Sequence, residues 1–136
     1  MSTKILRSGA FIYTVGHTEA GQITSIQFID PTQKGVELSL HYDEVGNPRT
    51  LTEKRVKGDA ESQTETHTLI FKLGADCTPL EVTTQITHTP DPMLATADFH
   101  GSPVDTRAPE NGEATHVEAL LARFANIHAW AATRIP

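Results

Sequence analysis

The chain has 136 residues, with 11 Lys+Arg against 17 Asp+Glu and a formal net charge of −6. That length predicts one domain spanning residues 1–136, and 38% hydrophobic residues is enough for a core, which excludes wholesale disorder. No run reaches the roughly 18–20 apolar residues of a membrane span, residues 1–7 lack the apolar stretch of a secretory leader, and the single Cys77 leaves no partner for an intrachain disulfide or a cysteine-based zinc site.

The charge is unevenly placed. Residues 1–57 carry seven basic and six acidic side chains, whereas residues 58–136 carry four basic and eleven acidic. The acidic total argues against a free nucleic-acid scavenger, whose affinity comes from Lys and Arg on phosphates. A local basic stripe remains compatible with it.

The first ninety residues predict strands separated by turns. Residues 10–15 are apolar and aromatic, and residues 16–21 close that segment between two glycines. Residues 22–29 alternate and stop at Asp30-Pro31, since proline donates nothing to a ladder. In residues 36–42, Val36, Leu38, Leu40 and Tyr42 share one face while Glu37, Ser39 and His41 share the other. Such alternation marks a strand with one buried and one wet face. Gly46-Asn47-Pro48 predicts a turn. Residues 49–57 are β-compatible but polar, as on an exposed edge, and residues 58–65 read as a polar loop. Residues 66–73 and 80–89 alternate again, with residues 74–79 as the loop between them. Residues 93–100 are a candidate further strand, and 101–112, rich in Pro, Gly, Asp and Ser, read as a surface loop.

The last segment changes period. Val117, Leu120, Leu121, Phe124, Ile127 and Ala131 recur at three- and four-residue steps, one stripe of a helix over residues 113–133, with Asn111 or Thr115 as its cap. The expected fold class is α+β: an antiparallel sheet of six to seven strands, an N-terminal hairpin plus a meander, with one C-terminal amphipathic helix on its apolar face. One helix is expected to leave part of a wide sheet bare, to be finished by a partner subunit, a barrel closure or a second sheet.

The chemistry-bearing residues form no catalytic signature. The seven histidines show no zincin-type spacing, no Gly-x-Ser-x-Gly elbow or Gly-rich phosphate loop occurs, and Asp76 beside Cys77 disfavours a thiolate. Neither a metal, a cofactor nor an enzymatic activity is expected. The most basic stretch is residues 49–57, with Arg49, Lys54, Arg55 and Lys57 against Glu53. It reads either as a charged edge that resists aggregation or as a phosphate-binding stripe. Ser39, His41, Thr66, Thr68, Lys72, Thr83, Gln85 and Thr87 extend it as a polar platform.

This layout resembles the coat proteins of single-stranded RNA bacteriophages. Residues 10–29 match the family's N-terminal hairpin. The stretches 36–42, 49–57, 66–73 and 80–89 match its sheet, and 113–133 match its C-terminal helix. The resemblance implies dimers joined edge to edge, with the helices packed over the partner through Val117, Leu120, Leu121, Phe124 and Ile127. It further implies an icosahedral shell made in the bacterial cytoplasm, and an inner sheet face that binds RNA through His41, Arg55, Lys57, Thr68, Lys72, Gln85 and Thr87. Its partners would be itself and single-stranded RNA, with no membrane. Two other readings stand beside it. One is a small ligand-binding β-barrel or sandwich. The other is an acidic, immunity-type protein that neutralises a basic partner through its second half.

Overall fold

The computed structural model describes residues 2–33, 35–60, 63–89 and 104–135, without the side chains of 57–60, 63, 64, 88 and 89. It contains β1 (Ser2–Ser8), β2 (Phe11–His17), β3 (Ile23–Ile29), β4 (Val36–Tyr42), β5 (Pro48–Ala60), β6 (Gln63–Leu73), β7 (Pro79–Thr89), β8 (Val104–Arg107) and α1 (Glu113–Ala132). The strands form one antiparallel sheet in sequential order, an open meander whose edges are β1 and β8. The expected α+β architecture is therefore present, with eight strands rather than six or seven.

Three differences have local causes. β1 escapes the alternation rule because only Leu6 of its seven residues is buried, while Ile5 stands exposed. β8 falls in the segment read as a loop. Its four residues are mostly exposed and pair only with β7, so no apolar stripe betrays it. Residues 58–60 and 63–65, within the stretch read as a polar loop, extend the β5–β6 hairpin, where Ala60 pairs in register with Gln63. The suggested strand at 93–100 lies outside the described residues.

The turns are built by short side chains. Asp30 Oδ1 accepts hydrogen bonds from the Thr32 amide at 2.9 Å and its hydroxyl at 2.6 Å, and Asp76 does the same for Thr78. Asp43 Oδ1 accepts from the Val45 and Asn47 amides. Gly35 sits at φ 77, and a Cβ there would meet the Val56 carbonyl at 2.8 Å, so the close approach of the β3–β4 turn to β5 requires glycine.

One row of registered partners explains the core. Lys4, Val15, Ile26, Leu40, Leu51, Phe71, Val82 and Arg107 pair in turn from β1 to β8. The six apolar members are essentially solvent-free. α1 lies over this row and crosses the strands. Its N-terminal end meets Arg107, Glu53 and Phe71, its middle meets Phe28, and its C-terminal end meets Tyr13 and Lys4. Twenty helical residues rise about 30 Å, and seven strand spacings of about 4.8 Å make about 34 Å. A helix laid across the strands thus reaches both edges. The helix thus crosses one face of the sheet from edge to edge, and no barrel closure occurs among the described strands.

The helix follows the expected stripe. Val117, Phe124, Ile127 and Ala131 are buried, and Leu120 and Leu121 pack partly buried against the core. Its start differs from expectation, since neither Asn111 nor Thr115 caps it. Gly112, at φ 89, is the N-cap and makes no side-chain bond. Glu113 takes over, accepting from the Glu110 amide at 2.6 Å and pairing with Arg107 on β8. Helix and sheet are also locked by Asp30, whose buried carboxylate accepts from Arg123 at 3.0 Å while that guanidinium lies 5.1 Å from the Phe28 ring centre.

Candidate interaction face

The face opposite α1 carries no covering element among the described residues. Its rows follow from the register. The middle row runs Ile5, Thr14, Gln27, Ser39, Thr52, Ile70, Thr83, Thr106 from β1 to β8, and contains no ionisable group. On one side lies Thr3, Gly16, Ser25, His41, Thr50, Lys72, Glu81. On the other, Arg7 pairs with Ile12, and Ile29, Glu37, Lys54, Thr68, Gln85 and Val104 continue the line. Val56, Thr66 and Thr87 form a short fourth row over the longer strands. β-Branched Thr and Ile suit such a pleated surface, and Thr83 and Thr106 bring their hydroxyls to 3.2 Å.

Five of the seven residues expected to bind RNA share this face: His41, Thr68, Lys72, Gln85 and Thr87. Thr68 is 7% exposed, walled in by its cross-strand neighbours Lys54 and Gln85. Arg55 does not join them. It registers with Val36 and His67 on the helix side, and its Nε donates to Glu53 Oε1 at 2.7 Å. Lys57 registers with Glu65 at the same parity as Arg55. The error came from phase. Leu51 and Val56 lie on opposite parities of β5, and Leu51 is the buried one, which carries Glu53 and Arg55 to the helix side. The cation of β5 on the open face is Lys54, part of the basic stretch but not among the residues expected to bind RNA.

The charge of the open face nearly cancels. Its described cations are Arg7, Lys54 and Lys72, and its carboxylates are Glu37 and Glu81. Lys54 registers directly with Glu37, and Lys72 with Glu81. Gln27 Nε2 donates to Glu37 as well. Five of the seven exposed large hydrophobics among the described residues stand here: Ile5, Ile12, Ile29, Val56 and Val104. Ile12 and Ile29 line a depression of about 360 Å³ with Ala10, Thr14 and Pro31. No Phe, Tyr or Trp occupies the face among the described residues; Phe11, Tyr13, Phe28 and Tyr42 all pack toward the helix.

A second depression, about 490 Å³, opens where the face meets the turns, between Thr18, Gln22, Ser25, His41 and Glu44. Tyr42 also borders it. Its ring packs edge-on against His128, and burial pushes its phenol well above the ordinary tyrosine range.

The charged groups of the helix side are held in pairs. Glu53 is buried, and burial alone raises a carboxyl pKa; its hydrogen bonds to Arg55 and to His116, at 2.8 Å, outweigh that and leave it below the ordinary glutamate value. His67 pairs with Glu65 at 2.6 Å. The Arg107 fork brings Glu113 down to about 2. Among the described residues, no group of three or more His, Cys, Asp or Glu is arranged to hold a metal ion, and no helix is long and apolar enough to cross a membrane. Cys77 sits partly buried in the β6–β7 turn at φ 66.

No protein-family description matches the chain, and neither a curated protein nor a solved structure resembles it significantly.

Proposed function

We propose that the chain is a non-catalytic structural protein that acts by associating with another macromolecule through its open sheet face. The observation that carries this reading is the combination on one surface of an ion-free row across all eight strands and five exposed aliphatic side chains. Exposed apolar side chains that neighbour one another on an open face, as Ile12 and Ile29 do, mark interaction sites. A shell-forming coat subunit is the particular form that the resemblance suggests, and chain size, strand order and the C-terminal helix support it. Helix exchange between subunits is not part of the proposal, because α1 packs on its own sheet.

The experiment is size-exclusion chromatography with light scattering and nucleic-acid absorbance, on the wild type and on Thr52→Arg with Thr83→Arg. A species heavier than 14.8 kDa that the two substitutions dissociate supports the reading. A complex or particle that survives both substitutions unchanged overturns it, and moves the contact to an edge strand or to the outer helix surface.

A further inference from the structure

The open face has a size and a charge pattern that select its occupant. Its dimensions are about 34 Å across eight strands and about 23 Å along seven residues, roughly 800 Å². That is the area one partner contributes to a standard stable interface of roughly 1,600 Å². The helix acts as a ruler across the strands. α1 touches β8 through Glu113 and β1 through the Arg134 carbonyl just beyond its last turn. The helix therefore spans the sheet from edge to edge, and an open sheet face of this width stacks on another with the mean strand directions aligned within about 30°.

We infer that the open face binds a second copy of this chain, sheet against sheet, about a two-fold axis parallel to the strands between β4 and β5. This rests on the open-face reading above and names its partner. The rotation sets β4 over the partner's β5 and keeps each row at its own height. The middle row then meets itself without an ion: Ser39 over the partner's Thr52, and Ile5 over the partner's Thr106. Glu37 meets the partner's Lys54, and Lys54 meets the partner's Glu37. Because Glu37 and Lys54 are also neighbours in register within the chain, four charges alternate in sign around the axis. Away from the axis, Lys72 faces Ser25 and Glu81 faces Gly16, so no like charges oppose. RNA is the poorer fit: among the described residues three cations, two of them already opposite carboxylates, offer few phosphate contacts, and no Phe, Tyr or Trp is present for base stacking, the one aromatic ring being the His41 imidazole.

The test is the dimer dissociation constant by sedimentation equilibrium, with nucleic-acid absorbance recorded and thermal melts as the control for folding. Glu37→Lys and Lys54→Glu are compared singly and together, beside Thr52→Arg. Either single reversal should weaken the dimer about tenfold or more by setting like charges at the axis, and the double reversal should restore it to within about threefold. Thr52→Arg should give a folded monomer. A wild type that stays monomeric and free of nucleic acid overturns the inference. So does a wild type that carries nucleic acid lost in Lys54→Glu and retained in Glu37→Lys, although the open-face reading then stands. A dimer indifferent to Thr52→Arg overturns both.

Discussion

Lys4 and Arg107 stand at the two ends of one registered row, on opposite edges of the sheet, and each grips one end of the helix. Lys4 Nζ donates to the Arg134 carbonyl at 2.7 Å, beyond the helix C-terminus. Arg107 makes a two-pronged contact with Glu113 at the N-terminus, at 2.6 and 2.9 Å. Between them the row is wholly apolar. The edge strands thus contribute cations where the inner strands contribute core, and the helix is pinned at both ends across a sheet it crosses.

The two clamps differ in strength. The Arg107 fork is bidentate and charged on both sides, with Glu113 only 17% exposed, whereas Lys4 makes one bond at an exposed site. Arg107→Met should lower the unfolding free energy by about 1–2 kcal/mol, and Lys4→Met by less than about 1 kcal/mol. Lying at opposite ends of the helix, the two effects should add within about 0.5 kcal/mol. Urea unfolding followed by far-UV circular dichroism measures both. An equal or larger loss from Lys4→Met would place the stronger clamp at β1.

The same fork sets an acid limit. Glu113 titrates near 2 in the folded chain against an ordinary 4.5, because hydrogen bonds from Arg107 and from the Glu110 amide favour the carboxylate. A depressed carboxyl contributes stability that is present above its unfolded value and lost as pH falls through its folded one. Asp30 shifts the same way: burial raises it, but the Thr32 and Arg123 hydrogen bonds prevail. Glu53 follows the same rule. Stability should therefore fall steadily from about pH 4.5 to about pH 2. Glu113→Gln should be less stable at neutral pH by about 1–2 kcal/mol, solvent screening included, and lose less across that window. Urea melts at a series of pH values decide it, and an unchanged slope in the variant would remove Glu113 from the account.

Where the sequence alternates strongly, the fold was readable in it. Val36, Leu38 and Leu40, and likewise Leu69, Phe71 and Leu73, announce both a strand and its inner face, because burial on one side selects side chains at every second position. The helix stripe was equally plain. The edges were not. β1 buries only Leu6 and β8 buries nothing, so their pairing rests on backbone hydrogen bonds that leave no residue pattern. β5 has the same ambiguity in its interior. Buried Glu53 and exposed Val56 invert the usual assignment, since a carboxylate held by Arg55 and His116 is tolerated inside. That inversion separated Arg55 from His41, Thr68, Lys72, Gln85 and Thr87. The Lys54–Glu37 pair escaped notice because it needs the β4–β5 register, which no single strand encodes.

Phe124 separates a self-covered subunit from one that exchanges helices. Its ring lies fully buried, 5.5 Å from Phe28 of the same chain. Truncation to alanine, Phe124→Ala, should cost about 3–5 kcal/mol of the subunit's own stability. The comparison belongs in a Thr52→Arg background, where association through the open face is removed. There the unfolding midpoint should not depend on protein concentration, whether the phenylalanine is kept or truncated. A midpoint that rises with concentration would mean that the helix covers a neighbour's sheet.

Arg55 provides the converse test of which face does the binding. It lies on the helix side, half-exposed, with its charge committed to Glu53. Removing it leaves His116 as the remaining side-chain hydrogen-bond partner of a buried carboxylate. Arg55→Met should therefore cost about 1 kcal/mol of stability, discounted for the exposure of the guanidinium, and leave association untouched. Lys54→Glu, one residue away and on the other face, should reverse the pattern, with little change in the melt and a weakened complex. Chemical unfolding and light scattering on the same two variants read both quantities. Loss of association in Arg55→Met at unchanged stability would return the binding surface to the helix side, around Arg55, His67 and Glu65.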